Sequence, residues 1–196
     1  MSNPQQHKHA KLSDEELIKD IVRTRDTNKF ATLYSRYAEK VYHKCLSFSK
    51  SPEEAQDLVH DIFIKLFVKL STFNHQSKFS TWLYSFTYNF CVNYVERKLK
   101  KHKEKFVSSE NLTIYENYNQ EISREIHDHE IFDLKTEKLQ LALLKIDVNS
   151  KTILLMKYQD DFSIKEIMDA LSLKESAVKM RLNRAKARLI EIYNTI

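Results

Sequence analysis

No glycine occurs anywhere in the 196 residues, and proline occurs only as Pro4 and Pro52. Strand-rich folds need glycine for the positive φ angles of tight hairpins, and phosphate-cradling loops need it for close backbone approach. A chain without it is best suited to helices joined by short polar turns. The expected fold class is therefore all-α, with Asn and Asp rather than glycine ending the helices.

The last fifty residues carry two helical patterns joined by a tight turn. Ser163-Ile164-Lys165-Glu166 and Ser172-Leu173-Lys174-Glu175 read as successive capping boxes, in which serine caps the helix and glutamate reaches back. After the second, apolar residues recur at Val178, Leu182, Ala185, Leu189 and Ile192, one buried stripe at helical spacing. At about 100° per residue the opposite face carries Ser176, Lys179, Met180, Asn183, Arg184 and Ala187. Lys174, Lys179, Arg181, Arg184, Lys186 and Arg188 oppose the single acid Glu175 over this stretch. A packed helix with small, amide and cationic groups outward suits the DNA major groove. An amphipathic helix with a solvated basic face has the same pattern, and the first helix with its tight connection favours helix-turn-helix.

The formal net charge of +5 and pI near 9.0 favour a polyanionic partner and leave the fold open. Cys45 and Cys91 sit among apolar helical residues with no CxxC, as packed thiols in a reducing compartment do. The N-terminal residues are polar with no apolar stretch behind them, and no run approaches the length of a membrane span. A cytoplasmic location without direct membrane insertion follows as the expectation. The His7/His9 and His127/His129 pairs lie in polar segments without Cys ligands or HExxH. No P-loop or nucleophile motif occurs. The expectation is no catalytic residues, no metal, no cofactor and no enzymatic activity.

Charge is segregated. Arg97, Lys98, Lys100, Lys101, Lys103 and Lys105 crowd one short stretch, and from Glu110 to Glu137 eight acids oppose Arg124 and Lys135. Little apolar periodicity marks the start of the acidic stretch, so residues 104–135 read as a flexible linker, following a tail at 1–13. The linker separates two small helical domains, 14–103 and 136–196. In the first, Ser51-Pro52-Glu53-Glu54 signals a helix start, and Ala55, Leu58, Val59, Ile62, Phe63, Leu66 and Leu70 form the stripe behind it. A polar loop then leads into a helix from Phe79 to about Lys101. There Phe79, Leu83, Phe86 and Phe90 read as core, with Thr81, Tyr84, Ser85, Tyr88 and Asn89 pointing elsewhere. Aromatics beside a basic tail suit single-stranded nucleic acid, although any one ring at helical spacing is more often core.

Phe30-Ala31-Thr32-Leu33-Tyr34 with Tyr37, Glu54 to Phe63, and Phe79-Ser80-Thr81-Trp82-Leu83-Tyr84 with Asn89 and Arg97-Lys98 resemble the second conserved region of extracytoplasmic-function sigma factors. Leu139 to Leu143, Ser163 to Ile167 and Val178 to Lys186 are similar to their fourth region. The sequence departs from that family in four places. Lys145-Ile146-Asp147 replaces the usual Leu-Pro, Lys151 replaces the arginine that often follows, Asp160-Asp161-Phe162 stands where a glycine is usual, and Ser176-Ala177-Val178 replaces the small-Thr-Val start of the recognition helix.

The resemblance implies a subunit that binds the RNA polymerase core and promoter DNA, with an anti-sigma factor as a further partner. It implies that Gln56, Asp57, Asp61 and Lys65 contact the core. Thr72, Phe73, Asn74 and Lys78 of the loop, with Thr81, Tyr84 and Tyr88 on the next helix, would capture the −10 strand. Arg97, Lys98 and Lys101 follow on the same helix. Ser176, Lys179, Met180, Asn183 and Arg184 would read the −35 duplex, with Lys179 and Arg184 suiting guanine or phosphate and Asn183 adenine. A stand-alone helix-turn-helix regulator is the competing reading; a dimerising helix after the motif would favour it, but the sequence stops at Ile196.

Overall fold

The structure, a computed structural model, describes residues 11–105 and 126–196. Residues 1–10 and 106–125, which hold most of the expected tail and linker, lie outside the described residues. The helices are α1 (Asp14–Thr24), α2 (Thr27–Leu46), α3 (Pro52–Lys69), α4 (Phe79–Lys105), α5 (Asp128–Phe132), α6 (Thr136–Lys145), α7 (Val148–Leu154), α8 (Ile164–Leu171) and α9 (Glu175–Thr195). A 3-10 turn, Leu70–Thr72, follows α3, and α7 runs on into a π-turn, Leu155–Gln159. Every regular element among the described residues is thus helical. The chain divides into two compact units, 1–91 and 92–196, with the boundary inside α4.

In the first unit α1, α2 and α3 each start on a side-chain cap. Ser13 and Glu16 close a reciprocal box at α1, Asp26 accepts from the Asn28 and Lys29 amides at α2, and Ser51 accepts from the Glu54 amide at α3. Pro52 opens α3, where a missing N–H costs nothing. The Glu54 carboxylate reaches past Ser51 to the Lys50 amide. The whole stripe from Ala55 to Leu70 is buried, α3 packing on α2 and the Leu70–Thr72 turn on α1, and Leu33, Tyr37 and Val41 of α2 and Leu17, Ile18 and Ile21 of α1 are buried as well. Each buried Leu or Ile contributes about 1.5–3 kcal/mol. Cys45 and Cys91 are free and fully buried, and a mutual hydrogen bond together with burial pushes the Cys91 thiol well above its ordinary range. Arg36 ties α2 to the entry of α1, donating to Asp14 at 2.6 Å and to the Leu12 carbonyl at 2.6 Å. The Tyr37 hydroxyl donates to the same carboxylate.

In the second unit α9 packs against α6, α7 and α8, burying Val178, Leu182, Ala185, Leu189 and Ile192 as the spacing requires. Segment 126–135, expected as linker, is instead packed on this unit. Ile126 and Ile131 are buried, and the Lys135 amide donates to the Tyr193 hydroxyl. Two isoleucines hidden in an acidic stretch supply the burial that its charge pattern concealed. Among the described residues no helix is long and apolar enough to cross a membrane.

Without glycine, four of the described residues take the left-handed conformation: Arg25 (φ 56°), His75 (φ 60°), Asp161 (φ 54°) and Ser172 (φ 54°). The helix-ending role expected of Asn and Asp is met by Asp133 after α5 and by Asp160 and Asp161 after the π-turn, and falls to Arg25 after α1 and Ser172 after α8. Arg25 offsets its strain through its side chain, which donates to the Phe67 carbonyl at 3.1 Å and lies over the Phe67 ring. Ser172, whose backbone N–H donates to the Met168 carbonyl, makes no such side-chain contact. Ser172→Gly should therefore raise stability by about 0.5–1 kcal/mol, and Ser172→Val should lower it by more. Thermal denaturation of the two variants checks this; a destabilised Ser172→Gly would contradict the assigned strain.

Candidate nucleic-acid interface

The reading helix is set by its predecessor. At α8 the capping box forms as the sequence indicates: the Glu166 amide donates to Ser163 Oγ at 3.2 Å, and the Ser163 amide donates to Glu166 Oε2 at 2.9 Å. The second box does not form. Ser172 closes α8 in the left-handed conformation, which an N-cap cannot share, so Lys174 caps α9 with its backbone and without a side-chain bond. The Leu173 amide donates to the Met168 carbonyl at 3.0 Å, completing a turn of three residues, 172–174, between the helices.

Along α9, Ser176, Met180 and Arg184 are exposed and four residues apart, one above another opposite the buried stripe. Lys179 lies toward the flank, paired with Glu175 at 2.6 Å. That pair holds the Glu175 carboxyl below and the Lys179 ammonium above their ordinary ranges. Both groups are well exposed, so a phosphate can compete for the lysine.

Asn183 differs from its neighbours. Its Oδ1 accepts from the Ile126 amide at 2.8 Å. One turn on, Lys186 is buried and donates to the Ile126 carbonyl and to Asp128 Oδ1 at 3.1 Å. The Tyr158 hydroxyl donates to the same carboxylate at 2.6 Å. The Tyr158 bond first, then Lys186, holds the Asp128 carboxyl below its ordinary range. Of the six basic residues read as one cluster, Lys186 is therefore a structural tie. The sequence signal for it was weak: Lys186 follows Ala185 at the edge of the apolar stripe.

In the first unit the polar loop hangs from an aromatic anchor. Phe73, placed by sequence on the DNA, is 5% exposed and faces His75, Phe79 and Trp82 with ring centroids 4.5, 5.5 and 5.4 Å away. Tyr88 is corrected likewise. It is fully buried, edge-on to Phe48 at 6.0 Å, with the Lys44 ammonium 5.6 Å from its ring. Lys44 also covers one face of Tyr84 at 4.0 Å, leaving that half-buried ring less to offer a base. Thr72 donates its hydroxyl to the Lys69 carbonyl, and the Asn74 side chain accepts from the Gln76 amide at 3.3 Å. Asn74 and Lys78 are exposed and Thr81 is half-buried. Sequence reasoning missed Trp82, half-buried beside the loop and stacked on Phe86 at 5.9 Å and 19°. Its position three residues after a core phenylalanine was the available signal.

Arg97, Lys98 and Lys101 lie on the part of α4 that belongs to the second unit. Arg97 and Lys101 are exposed; Arg97 Nε donates to the Asn93 carbonyl at 3.0 Å, and Lys98 rests over Tyr94. On α3, Gln56, Asp57, Asp61 and Lys65 are all exposed. Two apolar residues unmarked by the sequence reading share that face, Ile64 at 66% and Val68 at 65% exposure. Asp57, Asp61, Ile64 and Val68 fall within an arc of about 60°, opposite the core stripe. The His127 and His129 rings stack 5.7 Å apart, and among the described residues no group of three His, Cys, Asp or Glu side chains is placed to hold a metal.

The family described as Sigma-70 region 2 matches residues 33–101, and that described as Sigma-70, region 4 matches residues 136–189. The chain is similar to the ECF RNA polymerase sigma factor SigW of Bacillus subtilis (strain 168), 27% identical over 172 residues that cover 86% of this chain and 90% of that protein. It is similar to the RNA polymerase sigma factor YlaC of the same organism, 28% identical over 159 residues, covering 80% and 87%. Among solved structures it shares the fold of the sigma factor RpoE in complex with the anti-sigma factor NepR from Bartonella quintana, with a TM-score of 0.57 at 19% identity, covering 84% and 96%. CnrH in complex with the cytosolic domain of CnrY gives 0.58 at 18% identity, covering 93% and 97%.

The reassignment of Tyr88 from contact to core is open to direct measurement. Tyr88→Ala should cost about 3–5 kcal/mol of folding stability, as for other buried aromatics, whereas Lys101→Ala should stay within about 0.5 kcal/mol. Urea denaturation separates the two; a neutral Tyr88→Ala would return the ring to the DNA-binding set.

Proposed function

Because the chain belongs to the extracytoplasmic-function sigma factors, we propose that it binds core RNA polymerase, directs it to promoters and is held in check by an anti-sigma factor. The observation that carries this reading is the joint presence of both regions in order, region 2 matching 33–101, most of it in the first unit, and region 4 matching 136–189 within the second. The relatives named above are sigma factors over nearly their whole lengths, and the likeness to RpoE, seen with an anti-sigma factor, supports a partner of that kind.

In this reading region 2 spans 14–103 and region 4 spans 136–196. Residues 126–135 extend region 4, and the tether between the regions is correspondingly shorter than 104–135. Core binding uses the α3 face, where Ile64 and Val68 supply apolar area and Gln56, Asp57, Asp61 and Lys65 supply register. An exposed pair of aliphatics ringed by charge suits a protein contact. The loop carrying Asn74 and Lys78 receives a base extruded from the −10 strand. Extrusion costs a few kcal/mol of stacking, which stacking on the half-buried Trp82 beside the loop offsets. Arg97, Lys98, Lys100 and Lys101 neutralise phosphates. Ser176, Met180 and Arg184 enter the −35 major groove, with Arg184 suited to a guanine edge and Lys179 to phosphate. None of these roles involves bond making by the chain; nucleotide chemistry belongs to the polymerase.

Run-off transcription with core polymerase on a genomic fragment library tests the reading. Discrete transcripts that require the protein are expected, and their absence with an active core overturns it. Within that assay Ile64→Ser with Val68→Ser should weaken association with core at least tenfold while the helical circular-dichroism signal persists. Arg184→Ala should cost about 1–3 kcal/mol at one base position, whereas Lys100→Ala should weaken all sequences alike and lower the salt dependence by about one phosphate. Unchanged promoter preference in Arg184→Ala would remove α9 from the reading role.

A further inference from the structure

We infer that the Ile126–Phe132 strap is an intramolecular mask on the reading helix, docked in the free protein and released when α9 engages duplex DNA. The inference rests on α9 being the DNA-reading helix. Its first ground is the bond from the Ile126 amide to Asn183 Oδ1. Bidentate recognition of adenine uses the asparagine oxygen as acceptor for N6 and the amide nitrogen as donor to N7. The strap occupies one of the two lone pairs of Oδ1 and holds the side chain toward Ile126, so it competes with a base for Asn183.

The second ground is electrostatic. The strap brings Asp128 to the flank of a helix whose other partners would be phosphates, and Asp133 follows just beyond the strap. It pairs with Lys186, which donates to the Ile126 carbonyl and to Asp128. Docking thus cancels a cation of the helix with the strap's own carboxylate.

The third ground is how the strap is held. Ile126 and Ile131 are buried, but Phe132, edge-on to Tyr158 at 5.7 Å, is 70% exposed, and the polar grip consists of a few bonds at Ile126 and at the exposed Asp128. Such a grip is specific and modest, as a mask that DNA must displace requires. A strap welded by a larger apolar area would be a permanent part of the fold.

Released states raise apparent affinity in proportion to their population. The test uses the full chain and a labelled duplex obtained by selection of a randomised library on the wild-type protein. Asp128→Ala and the charge-neutral Tyr158→Phe each loosen the strap. Asp133→Ala removes the same charge as Asp128→Ala without touching the strap's polar grip and serves as the electrostatic control. Asp128→Ala should bind the duplex about fivefold tighter than wild type and clearly tighter than Asp133→Ala, with Tyr158→Phe also tighter than wild type. In wild type, the Ile126 amide should be protected from hydrogen exchange and lose that protection when saturating duplex is added. Equal or weaker binding by Asp128→Ala and Tyr158→Phe, or an Ile126 amide still protected in the complex, overturns the mask and leaves the reading helix intact. Failure of wild type and every variant to bind any duplex removes α9 from DNA reading and the mask with it.

Discussion

A backbone that reverses direction without glycine carries left-handed strain of roughly 1–2 kcal/mol at each such position, and the rest of this structure is arranged around that cost. Helix starts are held by Ser13, Asp26, Ser51, Asp147 and Ser163, each accepting from a backbone amide. Helix ends are fewer and dearer. Where Arg25 ends α1, a guanidinium reaching the Phe67 carbonyl compensates. Where Ser172 ends α8, the strain sits in the turn that aims α9. The angle at which the reading helix is presented thus depends on a position where the chain lacks its easiest residue.

The second organising principle is that one helix meets several demands on different arcs. In α9 the stripe from Val178 to Ile192 faces the core, Ser176, Met180 and Arg184 face outward, and Asn183 and Lys186 between them hold the strap. In α3 the two arcs are core and solvent, and the solvent arc keeps Ile64 and Val68 exposed at a cost in solubility. A helix segregates such roles because residues three and four apart share a face while their neighbours do not.

Apolar periodicity made most of the fold legible. The α3 and α9 stripes are buried residue for residue, and the serine–proline start of α3 falls where the sequence puts it. What failed to show was tertiary. Nothing local distinguishes Tyr84 from Tyr88, four residues apart on one helix, yet burial takes the second completely and a lysine covers a face of the first. The Ser172–Glu175 spacing satisfies the capping-box pattern, but the residue was already needed to end the preceding helix. The strap was hidden for a different reason. Its two isoleucines are too few to form a periodic signal, and their partners lie nearly sixty residues away in sequence.

The bond between Ile126 and Asn183 has an evolutionary consequence. A residue that only reads DNA can drift with its promoter, each substitution on the protein answered by one in the operator. Asn183 lacks that freedom, because replacing its oxygen also loosens a segment of its own chain. Met180 and Arg184, one on each side along the helix, make no comparable commitment to that segment. With α9 as the proposed reading helix, new promoter preferences are most accessible through those two positions, while Asn183 changes only in step with the strap.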